Sequence, residues 1–322
     1  MNLKDYLLVL LVIGVWGVNF LFMKFALNEI PPMVLGMLRF FCVVFPAVFL
    51  LKRPAVPWYL LVAYSLTISF GQFSLMFTAL DWGLSTGLAA LMLQVQVFFT
   101  VLIAGVLLRE PVLAHHLLGM CTAAVGLVFI GIGHYQGSLP VSAMLPVFGA
   151  AASWACGNII VKRIGSVNAL SLVVWGGIPA FGAFTLASLL LYGADGLEQH
   201  TSNLTWQGVG GILFLAYVAS LVGYTGWGAL LAKHPAGKVT PFALLVPVIA
   251  LLAGYLVLDE RLALWHWLGI IVVMCGLMLH VFGNRWRREC LIFETYKTDA
   301  DLFSDGLMPS ENIPKEKHEK RT

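Results

Sequence analysis

Hydrophobic positions in this chain come in long unbroken runs, with polar residues gathered at the turns between them. Taking turns, prolines and charges as boundaries, ten runs stand out: residues 6–25, 33–51, 58–80, 86–108, 115–133, 143–161, 170–192, 209–232, 239–258 and 265–283. Each is close to the length a helix needs to cross a hydrocarbon core of about 30 Å. Barrel strands would be about half as long and would alternate polar with apolar residues, which these runs do not. The pattern predicts an all-α integral membrane protein with ten transmembrane helices. The first run, Tyr6 to Phe25, has no small-residue cleavage site after it and is read as a retained helix.

The stretch from Gly87 to Gly133 is written a second time, from Gly237 to Gly283. Gly87 and Gly237, Glu110 and Glu260, Gly119 and Gly269, Gly126 and Gly276, and Gly133 and Gly283 all stand 150 positions apart. Leu102/Leu252, Leu108/Leu258, Leu118/Leu268 and Leu127/Leu277 keep the same offset. An internal duplication follows. Its first copy is expected at 1–134 and its second at 143–283, with a linker at 135–142 and a tail at 284–322. Each copy holds five helices, an odd number, so the second enters the membrane inverted relative to the first. Two inverted five-helix repeats around a site near the midplane are the architecture of secondary transporters, an analogy of architecture rather than of chemistry.

Composition agrees with a membrane protein: the 322 residues are 60% hydrophobic and 11% charged, with mean hydropathy +0.89. Close to half of the charge lies beyond Asn284, which predicts a solvated, disordered tail. In the loops, Lys4, Lys52, Arg53, Arg109, Lys162, Arg163, Lys233, Lys238, Arg285, Arg287 and Arg288 fall on one side, against Arg261 and the helix-end Lys24 on the other. By the positive-inside rule both termini are cytoplasmic. The basic residues form no continuous face, so no nucleic-acid partner is expected. Cys42, Cys121, Cys156 and Cys275 lie in apolar runs and Cys290 in the tail. Their spacing matches no metal or redox site, so they are read as buried small hydrophobes with no cofactor.

Several motifs carry a family resemblance. Trp16-Gly17-Val18-Asn19-Phe20 with Lys24, Arg39-Phe40, and the paired Leu-Arg-Glu-Pro and Leu-Asp-Glu-Arg-Leu segments before a Gly-x6-Gly helix resemble the EamA family of drug/metabolite transporters. So do Thr67-Ile68-Ser69-Phe70-Gly71-Gln72-Phe73, Ser153-Trp154-Ala155-Cys156-Gly157-Asn158, Leu245-Val246-Pro247-Val248 and Phe282-Gly283-Asn284-Arg285-Trp286. The likeness covers about residues 3 to 288; Pro111 stands where the family more often has a basic residue. It implies a multi-pass carrier of the inner membrane, and within the family it is nearest to exporters of amino-acid metabolites of the cysteine pathway. The implied partners are a small-molecule substrate and the lipid bilayer.

Read residue by residue, Arg39 is the most expensive side chain, because a charge that far into a membrane helix needs a reason. Its stem reaches the outer interface, or it pairs with Glu29, or it faces a cavity and attracts a carboxylate. Lys24 sits shallower and is expected to snorkel. Glu110 and Glu260 precede helices five and ten, where they are expected to cap free amides. No Asp or Glu occurs in the middle of a helix, which leaves loop acids and histidines as routes for any proton coupling.

Uncharged polar residues form faces on five helices. They are Trp16, Asn19 and Met23 on the first; Ser65, Ser69 and Gln72 on the third; and Gln94, with Ala90, on the fourth. Trp154 and Asn158 mark the sixth, and Tyr217, Ser220, Tyr224 and Trp227 the eighth. Amides facing lipid would go unsatisfied, so these faces turn inward, as helix glue or as the wall of a water-filled cavity. The expected substrate-binding set is Trp16, Asn19, Arg39, Gln72, Gln94, Trp154, Asn158, Tyr224 and Trp227. Gln96, about 200° round the helix from Gln94, points elsewhere. Gly149, Ser153 and Gly157 make a ridge for close packing, while Pro46, Pro241 and Pro247 break or kink their helices.

Three other functions compete. A membrane enzyme lacks an HExxH motif or any intramembrane serine, histidine and aspartate set. A non-transporting sensor would show no flux. A broad drug or nucleotide-sugar carrier, in its nucleotide-sugar form, would need several inward bases, and only Lys24 and Arg39 qualify.

Overall fold

A computed structural model describes residues 1–84, 86–110, 112–134, 141–202, 204–258, 263–280 and 283. Among the described residues, nine helices are long and apolar enough to cross a membrane: α1 (Leu3–Leu27), α2 (Pro32–Leu50), α3 (Trp58–Asp81), α4 (Ala89–Leu107), α5 (Ala114–Gly133), α6 (Ser142–Ile164), α7 (Ala169–Ser202), α8 (Trp206–Lys233) and α9 (Ala236–Ala253). A shorter apolar helix, α10 (Leu264–His280), follows. The described residues hold no strand. Large side chains in these helices that the bundle leaves uncovered, such as Leu102, Val106, Leu190 and Ile271, are those a bilayer would cover. The protein is therefore an all-α, multi-pass membrane protein. Glu260 with its loop, Pro111, residues 135–140 of the linker and the tail from Asn284 lie outside the described residues, and the linker's last two residues, 141–142, are helical.

Differences from the hydrophobic pattern arise where polar residues extend a helix. α1 begins at Leu3 because Asn2 and Asp5 form a capping box: the Asp5 amide donates to Asn2 Oδ1 (2.9 Å) and the Asn2 amide to Asp5 Oδ2 (3.1 Å). α7 runs ten residues past the apolar run, after a break at Gly193, whose φ of 69° favours glycine. Its continuation holds Asp195, Glu198 and His200 and carries no apolar signal. Cys121, Cys156 and Cys275 are exposed on the bundle surface and Cys42 is half-buried, which corrects the expectation of buried cysteines. A bilayer is as apolar as a core, so hydrophobicity alone does not separate the two surroundings.

Four of the helices carry irregularities that come in equivalent places. α3 is π-helical over Ser65–Gly71 and α8 over Phe214–Tyr224; Ser65 and Leu215 are 150 positions apart. α4 has a turn at Gln94, and α9 is 3₁₀-helical over Thr240–Leu245, which contains Leu244, again 150 positions on. Pro241 and Pro247 bracket that 3₁₀ turn, and Pro46 interrupts α2 between Val44 and Ala47. Wider π turns leave carbonyls free for side chains. Trp16 Nε1 of α1 donates to Ala219 O within the α8 π turn (3.1 Å), and Ser153 Oγ of α6 to Thr67 O within the α3 π turn (2.8 Å).

Side-chain contacts fix the helix directions. Asp5 at the start of α1 meets Lys233 at the end of α8, and Glu110 after α4 meets Lys162 at the end of α6 and Ala236 at the start of α9. All these ends share one face, called here the N-terminal face. At the opposite face Glu29, after α1, accepts from the Thr205 amide before α8 (2.9 Å). α1 and α6 thus run in opposite directions, as do α4 and α9. α5 and α10 lie antiparallel at very short range: a Cβ on Gly119 would stand 2.6 Å from Gly276 O, and one on Gly126 2.7 Å from Gly269 O. The glycines that recur along the sequence thus meet each other in space. The ridge of α6 packs as the small residues require, with Gly149 against Leu75, Ser153 against Gly71 and Gly157 against Ile68 of α3.

Candidate functional site

The irregular helices surround a cavity lined by Trp16, Asn19, Phe20 and Met23 of α1, Arg39 of α2, Gln72, Phe73 and Met76 of α3, Leu93 and Gln94 of α4, Trp154 of α6, Tyr224 of α8 and Val246 of α9. Counted from Leu3, Trp16 lies about 20 Å and Met23 about 30 Å along a helix of about 37 Å. The cavity therefore runs from mid-depth toward the face away from the N-terminus. About 30 Å³ is open to the centres of water-sized molecules. One water needs on the order of 10–15 Å³ on that scale, so an amino acid enters only when side chains move.

Among the described residues the wall is amides, aromatic rings, aliphatic and thioether side chains and one cation, with no carboxylate. Tyr224 donates its hydroxyl to Gln72 Oε1 (3.1 Å), and Gln94 Nε2 donates to Ala90 O (3.1 Å). Arg39 is 1% exposed, about 10 Å along α2 from Pro32. A bare charge inside a membrane helix costs about 3 kcal/mol. Part of that cost is offset here: Arg39 Nε donates to Ser220 Oγ (3.0 Å), and the guanidinium carbon sits 3.9 Å from the Phe73 ring centre, a cation–π contact. No carboxylate among the described residues pairs with it. Four polar atoms of lining residues are buried without a hydrogen-bond partner: Arg39 Nη1, Trp154 Nε1, Asn19 Oδ1 and Gln94 Oε1.

Toward the N-terminal face the cavity is stopped by an aromatic layer. Trp16 lies 5.2 Å from Trp154, 5.1 Å from Tyr224 and 5.2 Å from Trp227, between ring centres. Beneath it Asn158 ties three helices together: Trp227 Nε1 donates to its Oδ1 (3.0 Å), and its Nδ2 donates to Thr100 Oγ1 (3.1 Å) and Gln96 Oε1 (3.3 Å). Lower still, two ion-pair clusters join helices α1–α5 to α6–α10. Asp5 holds Lys233 (2.8 Å) and His234 (2.9 Å), and Glu110 holds Lys162 (2.9 Å) while accepting the Ala236 amide (2.8 Å). Lys162 also donates to His234 O (2.8 Å).

The structure gathers Trp16, Asn19, Arg39, Gln72, Gln94, Trp154 and Tyr224 around one cavity. It sets Asn158 and Trp227 one turn below, hydrogen-bonded to each other rather than lining it. Gln94 and Gln96 diverge, one to the cavity and one to Asn158. Other readings change. Glu110 caps the first turn of α9 rather than α5, because the loop after α4 folds toward Ala236. Tyr217 leaves its stripe and is 40% exposed, since a π turn breaks the 3.6-residue period on which that stripe was drawn. Of Ser65, Ser69 and Gln72, only Gln72 reaches the cavity, and all three are buried. Glu29 takes Thr205 as its partner rather than Arg39, and Lys24 is exposed. The apolar wall of Phe20, Phe73, Met76, Leu93 and Val246 escaped the sequence reading, although Phe73 and Met76 flank Gln72 at spacings one and four.

The sequence matches the EamA-like transporter family over residues 3–132 and 141–282. This chain belongs to that family. It is 41% identical over 297 residues to a "Probable amino-acid metabolite efflux pump" of Salmonella typhimurium, covering 91% of this chain and 99% of that protein. It is 40% identical over 293 residues to a protein of the same description in Escherichia coli K12, covering 89% and 98%. An "Uncharacterized transporter" of Archaeoglobus fulgidus is 26% identical over 285 residues, covering 87% and 99%. A solved crystal structure superposes with a TM-score of 0.74 at 16% identity, covering 88% of this chain and 99% of that one, a likeness of fold. The EamA-family protein described here is accordingly a membrane transporter and not an enzyme, and the cavity at mid-depth is its candidate solute site.

Proposed function

We propose that this EamA-family transporter exports small amino acids or amino-acid metabolites, compounds of the cysteine pathway foremost, across an inner membrane by alternating access. Two inverted five-helix repeats, 1–134 and 143–283, rock about the cavity, and both termini are cytoplasmic. The observation that carries this reading is the cavity itself: a small enclosure at mid-depth, walled by amides and indoles, with unsatisfied donors and acceptors on side chains from four helices. Neutral donors and acceptors replace the water of a small zwitterion, and aromatic walls limit its size. Further support comes from equivalent irregular turns in α3 and α8 and in α4 and α9, since broken helices at the repeat interface are where transporters bind solute. The described efflux relatives agree with a small, polar cargo.

The N-terminal face, closed by the aromatic layer and the ion pairs of Asp5 and Glu110, is the cytoplasmic gate in this reading. With no carboxylate in mid-helix, proton coupling runs through that gate's Asp5, Glu110 and His234. Counterflow in proteoliposomes with labelled serine, cysteine and O-acetylserine, with and without an imposed pH gradient, tests the function. Accumulation of at least one of these solutes above protein-free liposomes is expected. A bulky-drug carrier would instead move large amines and leave all three behind.

A further inference from the structure

Resting on the transport reading above, the charge of the cavity narrows its cargo further. Arg39 is the one charged residue among the described residues of the wall. Its Nε is used by Ser220 Oγ, and that hydroxyl is itself committed to Leu215 O at 2.7 Å. Its flat face is used by Phe73. Nη1 is buried without a partner, and no carboxylate among the described residues stands beside it. A guanidinium so placed lacks an anion, and its planar fork matches a carboxylate or a phosphate; of the two, the carboxylate is the anion a small amino acid carries.

We propose that Arg39 is the carboxylate receptor of the cavity and makes a free carboxylate obligatory in the solute. The remaining unpartnered atoms complete the opposite polarity. Trp154 Nε1 is a second donor to the carboxylate, whereas Asn19 Oδ1 and Gln94 Oε1 are acceptors suited to an ammonium group, which the indole face of Trp16 also attracts. An α-amino acid satisfies both sets at once. An amine lacking the carboxylate meets an unneutralised cation, and an ester loses one of the two oxygens that a bidentate contact requires.

Cysteine, its decarboxylated amine cysteamine and its methyl ester form the test series, each as counterflow above protein-free liposomes, in the parent, Arg39→Lys and Arg39→Gln. The parent is expected to carry cysteine at least tenfold faster than cysteamine or the ester. Arg39→Gln is expected to lower cysteine counterflow at least tenfold and to raise that of cysteamine, a gain that misfolding cannot produce. Arg39→Lys is expected to keep the preference for cysteine at reduced rate. A parent that carries all three solutes alike, or an Arg39→Gln protein that carries cysteine like the parent, overturns the role of Arg39 and leaves the transport reading standing. A parent that carries none of cysteine, serine and O-acetylserine overturns the transport reading, and this inference with it. Should Arg39→Gln fail to insert, the solute series in the parent and Arg39→Lys decides alone.

Discussion

Asn19 and Asn158 look alike in sequence, each one turn from a tryptophan, yet their surroundings separate them. Asn158 Oδ1 and Nδ2 are bonded to Trp227, Thr100 and Gln96, while Asn19 Oδ1 faces the cavity with no partner. Asn158→Ala orphans a buried donor on α8 and buried acceptors on α4 and is expected to destabilise the protein by about 1–3 kcal/mol. Asn19→Ala is expected to leave thermal stability within about 0.5 kcal/mol of the parent and to weaken stabilisation by bound solute. Melting of each purified variant with and without serine checks both. Glu29 gives a pH signature on the far face. The Thr205 hydroxyl, then the Thr205 and Gly208 amides, hold its carboxyl below the ordinary value of 4.5. A lowered folded value means the contact stabilises fully above 4.5 and is lost as pH falls through the lower folded value. Melting temperatures of the parent and Glu29→Gln should therefore differ at neutral pH and converge under acid.

At the scale of the element, the α5–α10 pair depends on the absence of side chains. A Cβ at Gly126 would stand 2.6 Å from Val273 N and 2.7 Å from Gly269 O, both backbone atoms that cannot yield. Gly126→Val is expected to force the helices apart and cost about 1–3 kcal/mol, measured as a loss of melting temperature in detergent. The recurrence of these glycines was visible in the sequence. Which glycine meets which was not, because antiparallel register is set by the whole bundle. The helices themselves were legible, since apolar length is a direct consequence of the bilayer. The π turns of α3 and α8 were not: nothing in Ser65–Gly71 or Phe214–Tyr224 distinguishes a five-residue from a four-residue hydrogen-bond step. That is why Tyr217 was placed on the wrong face, while Gln72 and Tyr224, at the ends of those turns, still reach the cavity. Arg39 was legible as a problem, a charge deep in a membrane helix. Its solution in Ser220 and Phe73 depends on α8 and α3 and could not be read from α2.

For the whole molecule, the duplication and the distribution of Lys and Arg make a topological claim. Single cysteines placed at Lys52 and at Asp259 in a cysteine-free background should label from opposite sides of the membrane, and a chain cut after Arg288 should insert and transport like the parent. The central claim is that one cavity at mid-depth is reached alternately from the two sides. Met76→Cys, in the cavity wall, tests it most directly, through maleimide labelling in right-side-out and inverted vesicles with and without O-acetylserine. Labelling from both sides, with protection by the solute in each orientation, is the predicted result. Labelling from one side only, unchanged by any solute the protein carries, would contradict it.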